Sequence, residues 1–234
     1  MKSLALAIVV VCGCVAPEGA DAPDAMDGKS DGMSGSDADV ALPTAADLLA
    51  KLQTCTAIGG MYATDSGELQ NIPVCGLTGA VWWKADLDID CDGKPSTYCN
   101  STTDPSFSSS TSASDSHGDP LDAAALPFVV VPLPSTRFDY RQHDIRLGTV
   151  IAVIYQDKVE YGVFGDQGPT SIIGEASYAM AKKLGINPNP STGGVDSGVA
   201  YIVFTGSTGV VSVMENHAEA TQIGITRARE LLAQ

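Results

Sequence analysis

Residues 161–181 read YGVFGDQGPTSIIGEASYAMA, and the division of this run into strand, turn and helix decides the fold. Residues 158–164, KVEYGVF, alternate as a strand with one buried face. Gly165-Asp166-Gln167-Gly168-Pro169 then ends the strand in a tight turn, where glycine frees the backbone and aspartate bonds the following amides. Ile172-Ile173 is a short apolar return. Gly174-Glu175 opens a helix, EASYAMAKKLGI, whose first turn favours Glu175 through the helix dipole. Taken singly, Asp166 and Glu175 each have this structural explanation. Taken together, a hairpin-like return sets both on one rim of a sheet, the pairing that glycosidic cleavage by a general acid and a base requires.

Working outward, short strands outnumber helices. Residues 81–84 (VWWK), 126–133 (LPFVVVPL), 148–155 (GTVIAVIY) and 199–205 (VAYIVFT) read as strands, with 210–214 as a further one. Residues 44–54 (TAADLLAKLQT) form a capped amphipathic helix, and 217–232 a second helix that closes the chain. Residues 101–119, rich in Ser, Thr and Asp, are a long surface loop. This profile predicts a mainly β protein, a small barrel or sandwich.

The chain has 234 residues, a net charge of −15 and a pI near 4.3. That charge argues against nucleic acid and favours cationic partners. Residues 1–14, MKSLALAIVVVCGC, follow the pattern of an export signal too short to span a membrane once mature. Val11-Cys12-Gly13-Cys14 resembles a bacterial lipoprotein signal, with Cys14 lipidated as the sole tie to a membrane; ordinary signal cleavage is the alternative. Residues 15–43 hold an acidic stretch without aromatic residues, a disordered tether. The domain expected to carry function spans 44–234.

Cys55, Cys75, Cys91 and Cys99 are an even set in an exported domain and indicate two disulfides. Of the three possible connectivities, Cys55–Cys75 with Cys91–Cys99 is preferred, because the shorter loops close most readily. Zinc is the rival, but no C-x-x-C or histidine pair accompanies the cysteines. Asp86, Asp88, Asp90 and Asp92 alternate in ADLDIDCDG. From Asp88 this matches the opening of a calcium loop, D-x-D-x-D-G, yet Cys99 stands where the bidentate glutamate belongs. An Asx-rich turn and a calcium site over 88–92 are both open readings; on a strand these acids would share one face. His117, His143 and His217 have no G-x-S-x-G or H-E-x-x-H partner, which sets aside serine and zinc hydrolases.

DLDIDCDG (86–93), DPSF (104–107), PFVVVP (127–132), YGVFGDQGP (161–169), IGEASYAMAKKLGI (173–186) and GGVDSGVAYIVFTG (193–206) occur in an order that resembles family 75 glycoside hydrolases, the fungal-type chitosanases. The resemblance implies endo-hydrolysis of β-1,4-linked glucosamine polymers with inversion, without a cofactor, and sets the essential acids on Asp166 and Glu175. Glu175 is expected as the acid and Asp166 as the base, from their ordinary pKa values of about 4.3 and 3.9. Asp88, Asp90 and Asp92 would line a cleft for polycationic chitosan, with Trp83 or Trp82 stacking a sugar. The G-D-x-G and I-G-acid steps also resemble double-psi β-barrel glycanases, so the expected fold is a six-stranded barrel with a few short helices, acting as a monomer. A peptidoglycan-directed glycosidase and a non-catalytic glycan-binding lipoprotein are the competing functions.

Overall fold

The strand pattern follows from where each apolar face finds cover. The computed structural model describes residues 41–234; the export signal, Cys14 and the tether up to residue 40 lie outside the described residues. Thr44 caps α1 (Ala45–Lys51): its hydroxyl accepts from the Asp47 amide at 3.2 Å, and the Asp47 carboxylate accepts from the Thr44 amide. Then come β1 (Thr56–Tyr62), β2 (Ile72–Leu77), β3 (Ala80–Asp90), β4 (Phe128–Pro132), β5 (Val150–Tyr155), β6 (Lys158–Gly168) and β7 (Glu175–Ser177). α2 (Tyr178–Leu184), β8 (Val195–Phe204) and α3 (His217–Leu232) complete the described chain.

The sheet order is β1-β2-β3-β7-β4-β6-β5-β8, and β8 pairs back onto β3. Six strands therefore close a barrel, β3-β7-β4-β6-β5-β8, and β1 and β2 extend it as an antiparallel pair on β3. Two junctions, β3–β7 and β4–β6, are parallel; the other four are antiparallel. The expected mainly β, six-stranded barrel is what the chain forms.

Alternation divides the core in two. Trp83, Leu87, Val129, Val131, Ile151, Val153, Phe164, Ala176, Tyr201 and Val203 draw on every barrel strand and form one cluster, the barrel interior, joined by Met180, Ala181 and Leu184 of α2. Trp82, Phe128, Val130, Ala152, Ile154, Val163, Ile202 and Phe204 face outward, under Leu48 of α1 and Ala220, Ala228 and Leu231 of α3. Each fully buried large aliphatic or Phe side chain contributes roughly 1.5–3 kcal/mol. β4 and β5 are buried on both faces, which explains their unbroken VVV and VIAVI.

Both breaks in the opening stretch are corrected. β6 does not end at Gly165; it continues to Gly168 through a bulge, with Val129 opposite Phe164 and Val130 opposite Asp166. A Cβ on Gly165 would stand 2.7 Å from Phe128 Cβ and 2.8 Å from Leu121, so only glycine lets the strand bulge there. Gly174-Glu175 does not open a helix. Glu175 and Ala176 are held in β7 between β3 and β4, and Ser177 takes the cap of α2 by accepting from the Met180 amide. Residues 210–214 are not a strand either; Val210 makes a single bridge to Thr149. The two disulfides are Cys55–Cys75 and Cys91–Cys99.

Candidate active site

The bulge sets the site. In an unbroken strand Asp166 would share the inward face of Phe164, two residues earlier. The extra residue turns it outward, beside Val130. Val130 also pairs with Glu175 on its other side, and Glu175 pairs with Asp88 on β3. Asp88, Glu175, Val130 and Asp166 thus lie in register across β3, β7, β4 and β6 on the outer wall. Asp166 and Glu175 are two strand spacings apart, about 9.6 Å between backbones. Glu175 leans across β4: its Oε2 lies 3.7 Å from where a Cβ on Gly168 of β6 would stand.

Asp166 is buried, and three donors converge on its Oδ1: the Ser112 amide at 2.8 Å, the Ser112 hydroxyl at 2.6 Å and the Gln167 amide at 2.7 Å. The Ala113 amide donates to the Gly165 carbonyl at 3.0 Å. The serine-rich segment read as a surface loop therefore folds over the bulge, with Ala113 buried. Ser112 was missed, because in SSSTSASDS nothing local separates one serine from the next. Its partner is 54 residues away.

A cleft of about 370 Å³ is lined by Asp88, Asp90, Asp92, Asp104, Ser106 and Glu175, among others. Turn hydrogen bonds set its acids: Asp90 Oδ1 accepts from the Asp92 amide at 2.6 Å, Asp92 Oδ1 from the Ser108 amide at 2.7 Å, and Asp104 Oδ1 from the Ser106 amide at 2.8 Å. The Cys91–Cys99 disulfide ties the start of this loop. Burial, reinforced by the charges of Asp88, Asp92 and Asp166, pushes the Glu175 carboxyl up to about 7. Burial and the charge of Glu175 push Asp90 well above the usual carboxylate range. Asp88 and Asp92 are raised chiefly by burial as well.

Trp83 does not join them. It is 1% exposed and stacks on Tyr201 inside the barrel, 5.4 Å between ring centres, so it offers no face to a ligand. Trp82 is buried in the outer cluster. The calcium-loop reading of 88–92 meets a strand, since β3 runs through Asp90. Among the described residues, Asp65, Asp86 and Asp88 form a group of three acids with one oxygen of each within 4.8 Å of the others.

The family model described as fungal chitosanase of glycosyl hydrolase group 75 matches residues 87–231. An endo-chitosanase C of Aspergillus oryzae is 35% identical over 133 residues, covering 54% of this chain and 32% of that protein. An endo-chitosanase of the same species is 34% identical over 137 residues, 54% of this chain and 56% of the relative. One from Aspergillus fumigatus is 29% identical over 134 residues, 52% of this chain and 56% of the relative. The chain's match thus spans between a third and somewhat over half of these relatives' length.

Proposed function

This chain belongs to glycosyl hydrolase group 75, the fungal chitosanases, and we propose that it cleaves internal β-1,4 bonds of chitosan by an inverting, two-carboxylate mechanism. The observation that carries the proposal is the register of Asp166 and Glu175 on either side of Val130, on one outward face. Glu175, with its carboxyl up at about 7, holds a proton at mildly acidic pH and delivers it to the leaving glycosidic oxygen. Asp166, an acceptor to three donors on Oδ1, takes a proton from water as that water attacks the anomeric carbon from the opposite face. Inversion asks for a carboxyl separation of roughly 6.5–9.5 Å, room for this water, against roughly 5–5.5 Å in a retaining pair.

The substrate follows from charge. A cleft lined by Asp88, Asp90, Asp92 and Asp104 attracts a polymer of protonated amines and gives an N-acetylated one no such advantage. No step needs a cofactor, and the enzyme acts as a monomer. The two disulfides support an exported protein. The lipid anchor read at Cys14 lies outside the described residues and draws no support from these relatives, which are fungal.

Reducing-end release from highly deacetylated chitosan, run beside chitin and peptidoglycan, tests the reading. Chitosan-selective release with the α-anomer appearing first by NMR is expected. First appearance of the β-anomer would overturn inversion. Attack on peptidoglycan alone would move the protein to murein, and binding without release on any polymer would leave it a glycan-binding domain.

A further inference from the structure

A second acidic constellation lies further back along the outer face of β3, and of its members only Asp88 also borders the cleft. Asp65 sits in the connection between β1 and β2, and Asp86 and Asp88 on β3. One carboxylate oxygen from each lies within 4.8 Å of the others. That spread fits a shared ion, because ligands on opposite sides of calcium at 2.3–2.6 Å stand about 4.6–5.2 Å apart.

Three chain segments converge to make it. The Ala63 amide donates to the Ser171 carbonyl and the Ile173 amide to the Ala63 carbonyl, each at 3.0 Å, which fixes the start of the Asp65 connection beside Gly174. The Asp88 amide donates to the Gly174 carbonyl at 2.8 Å. Gly174 has φ +121°, and a Cβ there would stand 1.9 Å from Asp86 Oδ1, so the backbone makes way for that carboxylate.

The independent observation is Asp86 itself. It is 4% exposed, and its Oδ1 has no hydrogen-bond partner. A buried carboxylate oxygen without a donor is costly, and two further acids close by add repulsion. The ion pairs among the described residues include none of the three. Lys84, on the same face of β3, lies over the Trp82 ring, 5.7 Å from its centre.

We propose that Asp65, Asp86 and Asp88 bind a calcium-class divalent cation that clasps the β1–β2 connection onto β3. All-oxygen, carboxylate-rich ligation suits calcium better than magnesium, which keeps its waters. The site is distinct from the D-x-D-x-D-G reading of 88–92, sharing only Asp88 with it, and through Asp88 it borders the acidic cleft of the chitosan proposal.

The test uses the purified chain after chelation. Terbium(III), a calcium substitute, is titrated while exciting the aromatic residues. Tyr201 is the natural donor, since its hydroxyl lies 2.7 Å from the Asp86 carbonyl. Saturable sensitised emission displaced by calcium is expected, together with a melting temperature raised by roughly 5–10 °C at calcium a hundredfold above its dissociation constant. Asp86→Asn should weaken terbium binding at least tenfold. Asp65→Asn, at an exposed loop position, should do the same and serves if the buried substitution disturbs folding. Asp157→Asn, an exposed acid in the β5–β6 turn, should change nothing. No saturable emission and no calcium-dependent shift would overturn the proposal. So would equal terbium affinity in both cluster variants and Asp157→Asn. Loss of affinity for glucosamine oligomers in Asp65→Asn, without metal binding in the parent, would reassign the cluster to sugar ammonium groups.

Discussion

Strand β6 presents two kinds of surface on one outward face. Tyr161 and Val163 are buried in the cluster shared with α3. Past the bulge at Gly165 the same face carries Asp166, beside a cleft of like charges. β3 repeats the contrast, with Ala80 and Trp82 packed in the outer cluster and Asp86, Asp88 and Asp90 further along. The difference teaches where stability and reactivity are kept. The apolar half gains from excluding water. The acidic half is held in place by that gain, and its carboxylates are crowded enough to raise one another's proton affinity.

Removing the acid should separate the halves most sharply. Glu175→Gln is expected to lower chitosan turnover by roughly 100- to 10,000-fold with the fold intact, measured by reducing ends and circular dichroism. Turnover near that of the parent would remove Glu175 from the mechanism. On the proposed mechanism, turnover in the parent should fall as pH rises through about 7, where the Glu175 carboxyl loses its proton.

The covered half should respond in the opposite sense. Trp82→Ala, at a position 5% exposed, should cost about 3–5 kcal/mol of stability in denaturant titrations, by a similar amount at pH 5 and pH 8. A strong pH dependence of that loss would mean that the halves are not independent.

A smaller effect comes from linkage. Glu175 is raised from an ordinary 4.5 to about 7, so the folded state holds its proton more tightly than the unfolded state does. That contribution is complete below about 4.5 and is lost as pH rises through about 7, worth about 2 kcal/mol after allowing for its partial exposure. Melting temperature should therefore fall between pH 5 and pH 8, and Glu175→Gln should flatten the slope. An unchanged slope would assign the pH dependence to other acids.

The smallest effect tests the loop over the bulge. Ser112→Ala removes one of three donors to Asp166 and should lower kcat about tenfold with little change in KM, for about 1–1.5 kcal/mol. An effect confined to KM would make Ser112 a substrate contact instead.

Much of the wall was legible locally. The β-branched runs at 128–132 and 150–155, the Thr44 cap, α3 and both cysteine pairings follow from short-range chemistry: buried faces, a side-chain oxygen for a free amide, and the shorter loops. The pairing of Asp166 with Glu175 was legible only as two acids beside two glycines. Why those glycines are there was not. Gly165 makes room for Phe128 and Leu121, and Gly174 for Asp86, and all three lie at least 37 residues away in sequence. The same distance hid Ser112 among identical neighbours and let Trp83 pass for a surface aromatic.

The sequence by itself determined a mainly β domain and its charge, and favoured the cysteine pairs that the structure forms, because periodicity, composition and short loops act over a few residues. Only the tertiary structure decided that the breaks are a bulge and a short strand, which face Asp166 takes, and which acids share a cleft. Those depend on strand register and barrel closure, where one extra residue on one strand reverses the direction of the next side chain.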